Sequence, residues 1–402
     1  MHLLQVQHLE SSKSVVTFLY LIRLNNMKKI NFLLFVQFSI LPFIGFSQNI
    51  DALKNLMRSK VNPEDKNPVH SIQVYISKGD TVFNEAVGYS DGNSLVADKH
   101  NQYKIASITK TMTSVVILQL QEEGKLNISD TISKFLADSK VARLNDLHMH
   151  KGVFYGNTIT IQQLLQHRTG LADIFTDAAF RFYLNEYLNK KQGWNSEKLM
   201  RRYFKYGLNR KTHFIPDSGY YYSDVNYFLL GLIIEKITGE TLAQQFRKRI
   251  FEPLKMSQTF FEYYEPAIGS GKMAHSFLGK RDITKILNTS YDWAGGGVVS
   301  TNADLAIFLK GIFEGKLYKK DSSLSLMTTM LPHTLKSGRV SYYGLGLYQY
   351  TFNGEKYYGH GGFWGSIIAY NPTKKIIFCG TVNQVNPPFR TNQFVESLLS
   401  TF

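Results

Sequence analysis

The chain has 402 residues, 44% of them hydrophobic, and a formal charge of +15. That length and apolar content exclude a disordered or fibrous protein and exceed what one compact core usually fills, so two lobes are expected. The basic residues are scattered, with no long run and no nucleic-acid motif, so nucleic acid is not an expected partner; solubility, or contact with anionic envelope polymers, accounts for the charge.

Met27 opens a stretch that reads as a secretory signal. Lys28 and Lys29 supply a positive start, Ile30 to Phe46 is largely apolar, and Gly45 and Ser47 are the small residues of a cleavage site, expected after Ser47. The apolar run is shorter than the roughly 20 residues of a membrane-spanning helix, so a cleaved signal and a periplasmic or extracellular product are expected, with no stable membrane span. Residues 1–26 read as an extension upstream of the true start. Segment 1–47 carries Lys13, Arg23, Lys28 and Lys29 against Glu10, which leaves +12 of the charge beyond it. The one cysteine, Cys379, excludes an internal disulfide and lies far from the cleavage point, so no lipidated cysteine is expected there.

Beyond the signal, Ile50 to Val61 has helical spacing. Ser71 to Ser77 alternates as a strand, and Gly79-Asp80 turns it into a second, Thr81 to Tyr89. Ile105 to Glu123 is a long apolar helix stopped by Gly124. Residues 125 to about 285 give helical pieces and loops, including Thr160 to His167 and Tyr222 to Thr238, the latter stopped by Gly239. Thr301-Asn302-Ala303-Asp304 resembles a capping box ahead of Leu305 to Phe313. Strand-like runs follow at Tyr343 to Phe352, Lys356 to His360, Ser366 to Asn371 and Lys375 to Val382, and Phe389 to Phe402 closes as a helix. Strands at both ends with helices between predict an α+β fold: one antiparallel sheet (48–124 and 290–402), flanked by helices, around an inserted mainly helical lobe (125–289).

Ser107-Ile108-Thr109-Lys110 is S-x-x-K at the start of the long helix. A serine hydroxyl needs a neighbouring base to become a nucleophile. Residues three apart share a helix face, so Lys110 reaches Ser107, and the helix N-terminus favours negative charge there. Alone the motif is weak, since a capping serine with an exposed lysine reads the same way.

More of the chain matches. Lys104 to Lys110 with Leu120-Gln121-Glu122-Glu123-Gly124-Lys125-Leu126, Leu164 to Leu171, Tyr222 to Gly231, Gly295 to Thr301, and Gly359-His360-Gly361-Gly362 together resemble the class C β-lactamase-related serine hydrolases, in that family's order, over about residues 70 to 385. The family includes class C β-lactamases, D,D-carboxypeptidases, D-aminopeptidases and family VIII esterases. The resemblance implies a β-lactamase/transpeptidase-like fold and an acyl-enzyme on Ser107. It implies that Tyr222 acts with Lys110 as the base, with the Lys110 cation lowering the tyrosine's pKa or sharing its proton. His360-Gly361-Gly362 matches the third motif, whose strand runs beside the substrate, and the N–H groups of Ser107 and Phe363 would form the oxyanion hole. No cofactor is implied. His148 and His150 lack partner ligands for a metal site, and His167 is expected to cap or pack its helix.

Two departures bear on substrate. Asp224 stands where the family has asparagine; a carboxylate only accepts, so it holds Lys110 protonated or favours a substrate bearing a donor or cation. The third motif has His360 and Gly361 in place of a lysine and a hydroxyl that help hold a substrate carboxylate, which moves weight from β-lactams and D-Ala-D-Ala towards ester or amide hydrolysis on other acyl groups, though a protonated His360 could still hold a carboxylate. The alternatives are a β-lactamase or D,D-peptidase proper, and a non-catalytic relative that binds peptidoglycan or a partner. An α/β-hydrolase is set aside, because neither Gly365-Ser366 nor Gly269-Ser270-Gly271 has the G-x-S-x-G spacing.

Overall fold

A hairpin turning at Gly79 joins β1 (Ser71–Lys78) to β2 (Thr81–Gly88), close to the expected bounds. The computed structural model describes residues 49–402 except 190–192, 285 and 336, so the expected signal and its cleavage point lie outside the described residues. Six further strands come from the far end of the chain: β3 (Leu331–Thr334), β4 (Val340–Tyr343), β5 (Tyr348–Phe352), β6 (Glu355–Gly362), β7 (Ser366–Asn371) and β8 (Ile376–Thr381). All eight form one antiparallel sheet in the order β3-β4-β5-β6-β7-β8-β1-β2. The two ends of the chain meet where Gln73 to Lys78 pairs with Thr381 to Ile376. Every residue of β7 is buried, as is nearly every residue of β1 and β8; β8 reads as an almost unbroken apolar run, whereas β1 keeps its alternation with Ser71, Gln73 and Ser77 buried.

Helix α1 (Thr109–Glu122) is buried at every position from Thr109 to Leu118. A helix with no solvent face must satisfy its own hydroxyls. Thr111 donates to the Gly346 carbonyl at 2.7 Å, Thr113 to that of Ala294 at 2.8 Å, and Ser114 bonds the Tyr227 hydroxyl at 3.3 Å. The expected start at Ile105 is corrected: Ala106–Ile108 forms a tight 3₁₀ turn, with Ala106 at φ +46°, before the α-helix begins. Helix α2 (Asp224–Thr238) ends at Gly239, φ +69°, and the short helix Ile161–Leu165 opens on a full capping box of Thr160 and Gln163. Helix α3 (Asn302–Phe313) has only half the expected box. Thr301 accepts from the Asp304 N–H, but the Asp304 carboxylate turns away to the Gln258 N–H and Thr259 hydroxyl. Helix α4 (Thr391–Thr401) lays Phe394 and Val395 against Ile72, Val74 and Phe378 of the sheet.

The expected strand Tyr343 to Phe352 breaks between β4 and β5. Gly346 sits at φ +75°, where residues other than glycine are strained, and its carbonyl docks on Thr111 of α1. A continuous buried core runs from Ile368 and Cys379 of the sheet through Met112 and Val116 of α1 to Phe182 and Phe228 of the middle segment. Each such side chain contributes about 1.5–3 kcal/mol on burial, which is how this core holds the fold with its lone cysteine free. The contact at Gly346 leaves no room for a side chain: a Cβ there would stand 2.2 Å from the Ser114 Oγ. Gly346→Ala is expected to destabilise the protein by about 2 kcal/mol or more, through strain and overpacking, read as a fall in the urea midpoint with an unchanged slope.

Candidate active site

The 3₁₀ turn presents Ser107 at the head of α1, and Lys110 lies one turn on, fully buried. Its ammonium has three N–H donors and three acceptors: Ser107 Oγ at 3.0 Å, Asp224 Oδ1 at 2.5 Å and the Gly295 carbonyl at 2.8 Å. A buried cation without a partner costs several kcal/mol, so the Asp224 carboxylate is what keeps a charged lysine beside the serine. Glycine is required at 295 by space, since a Cβ would fall 2.5 Å from Asp224 Oδ1 and 3.3 Å from Lys110 Nζ.

Tyr222 completes this group. Its side chain lines the same cleft as Ser107 and interacts with it, and its ring lies 4.9 Å from Lys110 Nζ. The expectation that Lys110 lowers its pKa is corrected. Burial and the adjacent Asp224 charge hold the phenol well above its usual range. Tyr222 is therefore a neutral hydroxyl in the resting protein.

Strand β6 closes the other side. Gly362 packs against the segment ahead of the nucleophile: a Cβ there would meet the Ile105 carbonyl at 2.3 Å, and Ser366 Oγ donates to that same carbonyl. Phe363, half exposed, stands at the mouth with Trp364. His360 does not reach the cleft. It is buried, its Nδ1–H donates to the Gly361 carbonyl at 2.7 Å, and its Nε2 accepts from the Tyr343 hydroxyl at 3.1 Å. Burial and the Lys110 charge push its pKa down to about 3. The idea that a protonated His360 grips a substrate carboxylate is corrected accordingly, since the ring is neutral and occupied. Gly361 lies beside the Tyr350 hydroxyl, 3.5 Å from where its Cβ would stand.

The cleft holds about 180 Å³ and is lined by Ser107, Tyr222 and Asp224, by the aromatic rings of Phe175, Tyr183, Tyr291, Phe363 and Trp364, and by two acids that sequence reasoning missed, Asp173 and Asp292. Asp173 accepts the Asp224 N–H at 2.8 Å, and so caps α2 from outside, while its other oxygen takes the Phe175 and Thr176 N–H groups. Burial first, then the Asp224 charge, push it up to about 7. Asp292 accepts no hydrogen bond among the described residues, and the same two causes raise it well above the usual carboxylate range. Gly296 gives Asp292 room beside Ala106. A lone aspartate in a loop reads as a solvent-facing charge, so only Asp173's place two residues after Gly170-Leu171 could have drawn notice.

His148 and His150 have local partners. His148 Nε2 bonds the Phe214 carbonyl and His150 Nδ1 the Thr212 hydroxyl, and among the described residues no cluster of histidine, cysteine or acidic side chains could hold a metal ion. No helix among them is long and apolar enough to cross a membrane.

Comparison with known proteins yields a family model described as Beta-lactamase, matching residues 63–398. A relative from Bacillus subtilis, whose name PbpX places it provisionally among the penicillin-binding proteins, is 25% identical over 280 residues, covering 68% of this chain but only 60% of its own length. Among solved structures, a D-stereospecific amidohydrolase from Streptomyces superposes with a TM-score of 0.70 at 24% identity, covering 87% of this chain and 99% of its own. The D-amino acid amidase of Ochrobactrum anthropi SV3, solved with L-phenylalanine, gives 0.71 at 20% identity, over 87% and 98%. The expected fold, a β-lactamase/transpeptidase-like antiparallel sheet with flanking helices, is the fold of these structures.

Gly295 tests the geometry directly. Gly295→Ala forces Asp224 and Lys110 apart while its backbone remains helical, and displacing a catalytic group by about 1 Å costs on the order of 100-fold in rate. The expected outcome is a drop of that size in covalent labelling of Ser107 by a fluorophosphonate, together with a lower melting temperature, because the displaced ion pair also stabilises the fold.

Proposed function

The chain belongs to the beta-lactamase family, and from that premise we propose that this hydrolase is exported and cleaves amide or ester bonds through an acyl-enzyme on Ser107. The observation that carries the proposal is the Lys110 ammonium, held between Ser107 Oγ and Asp224 at the floor of a cleft that opens on the serine. Ser107 Oγ attacks the substrate carbonyl and forms the ester bond. Its proton passes to Lys110 as the lysine releases one of its own, and the acceptor within reach is Asp224 at 2.5 Å. The neutral Tyr222 hydroxyl donates to the leaving group as the carbonyl–heteroatom bond breaks, and water then hydrolyses the ester by the reverse transfers. The N–H groups of Ser107 and Phe363 are the proposed oxyanion donors.

The cleft's charge narrows the acyl group. The chain is strongly basic, yet the space beside its nucleophile is walled by Asp173, Asp224 and Asp292. Crowded acids favour a cation and repel a carboxylate. With His360 neutral, no charge on the third-motif strand offsets that repulsion. We therefore favour substrates with a free amino group close to the scissile carbonyl and an apolar side chain to lie among the aromatic rings, such as amino-acid amides and esters. The D-amino acid amidase of the same fold is consistent with this choice. β-Lactams and peptides ending in a free carboxylate are disfavoured.

Labelling decides the chemistry. Wild type is expected to take up a fluorophosphonate and Ser107→Ala to take up none; Asp224→Asn, whose amide cannot receive a proton, should label about 100-fold more slowly. Faster turnover of nitrocefin than of an amino-acid ester would contradict the acyl preference. The amine site carries its own pH signature. Below about 7 Asp173 holds a proton and the cleft is one negative charge poorer. The KM for an amino-acid amide should fall as pH rises from 6 to 7.5, then climb above about 8 as the substrate's own ammonium deprotonates, while the KM of an ester lacking the amine stays flat.

A further inference from the structure

His167 touches three consecutive residues of the segment that carries Tyr222, each in a different way. Its backbone carbonyl accepts the Tyr221 N–H at 3.0 Å. Its ring lies 4.2 Å from the Tyr222 ring, inclined by 32°. Its Nδ1 accepts the Ser223 N–H at 3.2 Å and the Asn226 amide at 3.0 Å. Asn226 is fixed in turn by the Thr169 hydroxyl, which donates to its Oδ1 at 2.6 Å.

We infer that His167 is the positioning residue of Tyr222, holding residues 221–223 from three sides so that the tyrosine stays beside Ser107 in the cleft. The inference rests on Tyr222 belonging to the acyl-transfer machinery. Two donors on Nδ1 leave the ring's single proton on Nε2, which has no hydrogen-bond partner among the described residues. A protonated ring would set a third N–H against those two donors. Burial, with the Lys110 charge nearby, keeps the ring neutral and so preserves the acceptor. Both halves of the imidazole are used. Phenylalanine would keep a ring under Tyr222 but orphan the Ser223 and Asn226 donors; asparagine would offer an oxygen near the Nδ1 position but no ring. The backbone at 167 is left-handed, φ +55°, a conformation asparagine tolerates well.

The test compares wild type, Tyr222→Phe, His167→Asn and His167→Phe for fluorophosphonate labelling rate, kcat and KM on an amino-acid ester, and melting temperature. Tyr222→Phe is expected to label about 100-fold more slowly. His167→Phe should lose a similar factor in kcat with KM within twofold, and His167→Asn should recover about tenfold of that loss. Should the phenylalanine variant fail to fold, His167→Asn against wild type carries the comparison, with a kcat loss of about tenfold expected. Wild-type labelling and kcat in a folded His167 variant beside a slow Tyr222→Phe would overturn the inference alone, as would a change confined to KM. Wild-type labelling in Tyr222→Phe would overturn the role given to the tyrosine, and this inference with it.

Discussion

One buried ammonium constrains the site. Lys110 has no route to water, so each of its three protons needs an acceptor from the protein. Each acceptor fixes a different part of the chain: Ser107 the turn ahead of α1, Asp224 the first residue of α2, and Gly295 the glycine run before α3. The sheet contributes from the other side, where Gly362 of β6 lies on the Ile105 carbonyl. Losing one partner of such a pair typically costs 3–5 kcal/mol, a large part of a domain's whole stability. The geometry around Ser107 and the stability of the fold therefore share the same contacts.

Much of this is legible in the amino-acid order alone. Ser107 and Lys110 are three residues apart on one helix, and a short-range relation of that kind survives whatever the tertiary packing does. Tyr222 is marked by the pattern around it, and most strands by alternation and turn residues. What escapes such reading depends on long-range packing. Asp173 and Asp292 carry no local signal, because an aspartate's burial is decided by chain segments far away. The motif around His360 points to the right strand but to the wrong side of it. The orientation of that ring follows from the Tyr343 hydroxyl, 17 residues upstream. The break in the run from Tyr343 to Phe352 is hidden because Gly344 and Gly346 interrupt an otherwise convincing strand, and it takes α1 passing beneath to show why the chain must bend there.

The same long-range packing reverses one inference about charge. From sequence, Asp224 could either hold the lysine or meet the substrate, as alternatives. In the folded chain one oxygen holds the lysine while the carboxylate as a whole lines the cleft. Burial raises Asp173, Asp292 and Tyr222, and the Asp224 charge reinforces the shift at each. One aspartate in place of an amide thus adds to the protonation of three neighbours.

The pairing of β1 with β8 has a temporal consequence. Gln73 and Thr381 are neighbours in the sheet but stand at opposite ends of the sequence. Loop closure over such a distance is slow compared with helix formation, and high contact order delays folding. A ribosome delivers Ser107 and Lys110 well over 200 residues ahead of β6 and of β8, the strand that locks β1 in place. The growing chain thus carries Ser107 and Lys110 long before it carries the strands that enclose them.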